Sequence, residues 1–219
     1  GNGKLLVDQN STVPSKYRYN YLSSPVHTLN ATTFTIEDVL KDGTIPTSAT
    51  STITDINFVS GYDGNTTSPI SIADHWIYTY ATGSNGRSGW SHKYKSETIS
   101  QTDGFTFKGP GAAQNYTFVG TPKDGELTTT INAGDSYLVG NPYASAMSSK
   151  KFIQDNLDVT NGSLYFWEHV GEESSSNGSE GHNYGGYVGG YAVRNLSGGV
   201  AANSVVDNNK SNNGTPNLG

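Results

Sequence analysis

From residue 104 to residue 143 the chain reads GFTFKGPGAAQNYTFVGTPKDGELTTTINAGDSYLVGNPY, and the alternation inside this block limits the fold more than any other feature. Phe105 and Phe107 alternate with polar neighbours, as do Tyr116 and Phe118, and then Leu127, Thr129 and Ile131. A period of two puts such residues on one face of a strand. Gly-rich turns separate the runs by too few residues for a helical crossover, so the strands must pair antiparallel. Residues 137–139 form a short apolar run suited to an inner strand. Pro142, with no amide hydrogen to give a ladder, ends it.

The rest of the chain repeats the theme. YRYNYLSSPV places Tyr17, Tyr19 and Tyr21 on one face and Arg18, Asn20 and Leu22 on the other, and Pro25 confines the strand to an edge or an end. HWIYTYATG and GWSHKYKS flank SNGRSG as a β-hairpin, with Asn85-Gly86 tolerating positive φ. Ile53, Ile56 and Phe58 slip phase, which predicts a bulge or a late strand start. GSLYFWEHV and GYAVRNLSGGVA are two further strands. Between them GEESSSNGSEGHNYGGYVGG reads as a long, mobile loop. Two short helices are expected. One spans about residues 35–42, capped by Thr35 and ended by Gly43; the other spans about 148–155, capped by Ser148 or Ser149, with Phe152 and Ile153 buried. The expected architecture is therefore all-β, an antiparallel sandwich of jelly-roll type. It would form one domain over residues 1–200, followed by a polar tail or linker at 201–219.

Composition narrows the function classes. Charged residues make up only 15% of the chain and the net charge is -6. A nucleic-acid surface needs a basic footprint, so that class is set aside. No cysteine occurs, which removes disulfides, thiolate metal sites and a cysteine nucleophile. No apolar run of about 18 residues exists to span a membrane as a helix. There is no G-x-S-x-G elbow and no H-E-x-x-H motif among the five histidines. A glycosidase needs two carboxylates about a scissile bond. Glu168 with Asp74, or Glu172 with Glu173, are the pairs the sequence offers, with Glu168 beside Trp167 the first choice, and nothing in their spacing favours either. The chain reads as a non-enzyme.

Two kinds of binding residue stand out. Trp90, Trp76 and Trp167 are the candidate ligand contacts, because a large ring can stack on a sugar face, although such rings also fill all-β cores. Asp63 and Asn65 in YDGN, with Asp207 in DNNKSNN, are the candidate metal ligands, and calcium is the hard cation their oxygens would suit.

YRYNYLSSPV, the block from residue 104 to 146, and GSLYFWEHV with GGYAVRNLSGG together resemble a recurrent β-rich region of large secreted proteins of flavobacteria and related Bacteroidota. Those proteins carry a C-terminal sorting domain for type IX secretion. This chain departs from the pattern at Leu22, where relatives often have Trp, and at Ala144, where they usually have Pro. The resemblance implies a secreted polypeptide displayed at the cell surface, a cargo whose partner during export is the type IX machinery. It assigns no site residue. The expected function is a non-catalytic β-sandwich module with a structural or adhesive role. The alternative is a carbohydrate-binding module attached to a polysaccharide-degrading enzyme. The partner outside the cell would be a polysaccharide or another surface protein.

Overall fold

The computed structural model describes residues 3–28, 32–48, 52–82, 87–169, 182 and 189–202. The chain divides into two compact units, Gly1–Ser145 and Ala146–Gly219. This boundary falls inside the single domain expected over residues 1–200. The Gly/Ser-rich segment after residue 169 lies outside the described residues apart from residue 182 and its last two glycines, which open the strand Gly189–Asn195; the tail from residue 203 onward also lies outside them.

The first unit contains β1 (Leu5–Ser11), β2 (Tyr19–Ser23), β3 (Val26–His27), β4 (Thr33–Phe34), α1 (Ile36–Val39), β5 (Leu40–Asp42), β6 (Thr54–Asp55) and β7 (Asn57–Val59). It continues with β8 (Ser71–Ala73), β9 (Tyr78–Thr82), β10 (Trp90–His92), β11 (Ile99–Ser100), β12 (Gly104–Lys108), β13 (Gln114–Pro122) and β14 (Ser136–Tyr137). Two principal sheets form the sandwich. One has the order β1-β13-β5-β6 with β3 also on β13; the other has the order β10-β9-β12-β2 with β14 also on β9. Pairing in both is antiparallel, and the small β7–β8 ladder is parallel.

The alternation predicted from sequence sets what lies between the sheets. Phe105 and Phe107 of β12 and Tyr116 and Phe118 of β13 are buried and join Phe34, Ile36, Val39, Leu40, Ile72 and Ile99 in one core. Burying a side chain of this size stabilises the fold by roughly 1.5–3 kcal/mol. Tyr116 keeps its phenol protonated, because burial pushes its pKa well above the ordinary value.

Three expectations are corrected. The helix over 35–42 is a single turn, α1, followed at once by β5. Thr35 gives no backbone cap; its hydroxyl donates to Asp38 instead, at 2.7 Å. The phase slip at Ile56 is not a bulge but the break between β6 and β7, which belong to different sheets. Residues 127–131 form no strand, and all but Leu127 are exposed, so the alternation there finds no sheet to pack on.

The segment after that excursion acts as a wedge. β9 and β12 share only the Thr106–Tyr78 pair. Beyond it the strands part, and the chain from residue 136 to 140 fills the gap. Leu138 N donates to Tyr80 O, Gly104 N to Leu138 O, and Gly140 N to Thr102 O, at 2.8–2.9 Å. Gly140 must be glycine, because a Cβ there would meet Asp103 O at 2.6 Å.

Asp103 and Tyr137 fasten the wedge: the Tyr137 hydroxyl donates to Asp103 Oδ1 and lies 3.0 Å from Thr102 Oγ1. Burial raises the Asp103 carboxyl above its ordinary value, and the Tyr137 hydrogen bond offsets this in part. Burial, with the hydrogen bond to Asp103, pushes Tyr137 up to about 12. A native carboxyl with a raised pKa holds its proton more tightly than the unfolded chain does. Its stabilising contribution is therefore complete below about pH 4 and is lost as pH climbs through the raised value. Asp103→Asn keeps an acceptor for Tyr137 and removes that dependence. Urea denaturation at about pH 4 and about pH 7 is expected to show a smaller loss of stability on raising the pH than in the parent. Equal losses in the two proteins would refute the assignment.

The second unit contains α2 (Ser149–Asp155), β15 (Ser163–His169), β16 (Gly189–Asn195) and β17 (Gly199–Val200), with sheet order β15-β16-β17. Ser148 caps α2, accepting from Lys151 N at 3.3 Å, as the sequence predicts. The helix packs against β15 and β16 of its own unit, where Ile153 and Ala192 are buried.

Candidate functional site: an aromatic sheet face

Register fixes which side chains cover the outer face of the sheet β10-β9-β12-β2. Phe105 and Phe107 point into the core, so Gly104, Thr106 and Lys108 point out. Their partners on β2, which are Ser23, Tyr21 and Tyr19, share that outer face. Thr106 pairs with Tyr78, which puts Tyr78 and Tyr80 there, and the β9–β10 ladder adds Trp90 opposite Tyr80 and His92 opposite Tyr78. The face is thus a field of rings around Gly104 and Thr106 of β12, with Lys108 at one end.

Its floor is buried. The 3-10 turn at Asp74–Trp76 lays Trp76 over Lys108, with the ammonium 3.8 Å from the Trp76 ring centroid and 4.7 Å from that of Tyr19. Lys108 is 1% exposed. A cation over two desolvated ring faces gains more than it would in water. The Trp76 indole N–H donates to Tyr62 O at 2.7 Å, and the ring is 3% exposed. Trp76 is therefore corrected from a ligand contact to a floor residue, because both its polar edge and its faces are taken by the fold.

The rim is open. Trp90 is 37% exposed and leans on Tyr80, with centroids 4.9 Å apart and planes at 59°, and stands edge-on to Tyr78 at 6.5 Å. His92 is stacked on Tyr78 at 4.7 Å and touches Tyr94, whose backbone turns through φ +45° to bring its ring across. Tyr62, His75 and Tyr94 continue the aromatic surface. Such an arrangement offers ring faces and hydroxyl edges on a rigid sheet, suited to a ligand with apolar C–H faces and polar edges.

The remaining candidates sit elsewhere. Trp167 belongs to the second unit, on β15 opposite Tyr191 of β16, with ring centroids 5.1 Å apart. Glu168 shares β15 but points to the other face, with Leu164 and Phe166. Asp63 is engaged by Lys16 at 2.9 Å, a hydrogen bond that raises the lysine pKa, and the Asn65 backbone is bridged to Ser71. Asp207 lies outside the described residues. Among the described residues no three His, Asp or Glu side chains gather as a metal-binding group. A shallow polar depression on the other sheet, lined by Lys4, Asp38, Lys41 and Asp55, is partly closed by the 2.7 Å Lys41–Asp55 ion pair.

Sequence reasoning found Trp90 but missed Tyr78, Tyr80 and His92 around it, and Lys108 beneath Trp76. The signal was present in WIYTY and GWSH, where residues two apart share a face. What it lacked was the register that sets Trp90 against Tyr80. No helix of the described residues is long and apolar enough to cross a membrane. No curated protein and no solved structure matches the chain. A family profile described as "Domain of unknown function (DUF8693)" matches residues 1–215, and the chain therefore belongs to that family.

Proposed function

We propose that this chain is a non-catalytic, adhesive β-sandwich module of a secreted, surface-displayed protein, and that the rim around Trp90 binds extracellular polysaccharide. The observation that carries the reading is Trp90 itself. A large ring is held 37% exposed on β10, braced by Tyr80 and Tyr78, beside further exposed rings at Tyr94 and Tyr62. Rings placed in this way stack on the C–H faces of sugars, and rigid bracing lowers the entropy lost on binding. The display half of the reading is supported by the family resemblance and by the absence of cysteine in a Gly- and Tyr-rich chain.

Affinity electrophoresis in gels containing plant or algal polysaccharides tests the binding half. The parent is expected to be retarded in at least one gel. Trp90→Ala is expected to weaken that retardation about tenfold, or roughly 1.4 kcal/mol, as for a central aromatic contact. Retardation that survives Trp90→Ala unchanged would remove the rim from the account. The export half is tested on the parent protein: a sorting domain in its reading frame and recovery from the cell surface or medium are expected, and a parent confined to the cytoplasm would refute it.

A further inference from the structure

The three-ring constellation of the first unit recurs in the second. In the first, Trp90 stands directly opposite Tyr80 and diagonal to Tyr78, two residues earlier on the same neighbouring strand. In the second, Tyr191 stands directly opposite Trp167 and diagonal to Tyr165, again two residues earlier. The direct pairs have centroids 4.9 and 5.1 Å apart with planes at 59° and 67°. The diagonal pairs are 6.5 and 6.4 Å apart at 89° and 88°. Both ladders are antiparallel, and in both units the rings lie on the sheet face opposite buried apolar side chains. In the second unit that buried face carries Ala192, and α2 packs on the sheet. Tyr165 and Tyr191 are more than half exposed, at 56% and 58%, with Val200 beside them at 67%.

We propose that Tyr165, Trp167 and Tyr191 form a second glycan-stacking site, for the same class of ligand as the Trp90 rim; this rests on the glycan reading of the first unit. The geometry also narrows that class. Planes inclined at 59–67° and near 90° cannot all lie against one flat crystalline surface. They can hold successive rings of a single chain in solution. The sugars best suited are pyranoses with equatorial hydroxyls, whose C–H faces are apolar while their edges bond to tyrosine hydroxyls.

The chain has three tryptophans, and each reports on a different place: Trp76 on the buried floor, Trp90 on the first rim, Trp167 on the second site. The full chain carrying 5-fluorotryptophan would be titrated with cellohexaose and followed by fluorine NMR. Saturable shifts are expected for Trp90 and Trp167, with Trp76 unmoved. Tyr191→Ala, at an exposed position, is expected to abolish the Trp167 response and spare that of Trp90. A response of Trp90 alone overturns the second site and leaves the proposed function standing. A response of Trp167 alone supports the second site and removes the Trp90 rim. No response from either overturns both. A Trp167 shift that persists in Tyr191→Ala also overturns the second site, because the ring constellation would not then be the contact.

Discussion

Phe107→Ala is expected to lower the unfolding free energy of the first unit by about 3–5 kcal/mol. The side chain is wholly buried, stands edge-on to Tyr116 of the facing sheet at 5.2 Å, and lies 6.1 Å from Phe105 on its own strand. It therefore touches both layers. Deleting the ring removes its transfer free energy, leaves a cavity between two sheets that cannot close without moving every strand, and breaks the ring pair across the interface. Guanidinium denaturation followed by tryptophan fluorescence in a Trp167→Phe background, which leaves Trp76 and Trp90 as reporters, reads this unit. The midpoint should fall with the slope preserved. A loss below about 1 kcal/mol would mean that the two sheets do not share their core at this position.

Lys108→Ala is expected to cost about 2–4 kcal/mol, and Lys108→Met to recover most of it. The lysine stem fills space under Trp76 and Tyr19, and truncation opens that space beneath the aromatic face. The ammonium gains about 2 kcal/mol from the rings when desolvated, but its own dehydration costs as much or more. A methionine of similar length keeps the contacts with the rings and carries no charge to dehydrate. If Lys108→Met were as damaging as Lys108→Ala, the charge rather than the stem would be what holds the floor together. The same denaturation experiment decides it.

The strand content was legible in the sequence because alternation is local. Phe105 and Phe107 announced a buried face, and WIYTY and GWSH announced a hairpin, from residues only two apart. Where the reading failed, the deciding partner was distant. Leu127, Thr129 and Ile131 alternate as well as any strand here, yet residues 127–131 form no strand and Thr129 and Ile131 stay exposed. The slip at Ile56 looked like a local irregularity because nothing nearby reveals that β6 and β7 join different sheets. α2 was recognised from its cap, but the unit it serves was not, since a cap describes the helix end and says nothing of what the helix packs on.

The site divides along the same line. Local pattern and composition mark a cysteine-free, weakly charged, aromatic-rich β chain with Trp90 beside a hairpin turn. Which rings are spent on packing and which remain outward depends on how the strands come together. Trp76 and Trp90 are alike as residues. One is sealed over Lys108 by a 3-10 turn and the other is propped open on Tyr80. That difference comes from cross-strand register and from chain segments far apart in sequence, where pairing between strands, and not the pattern within any one of them, sets what each side chain meets.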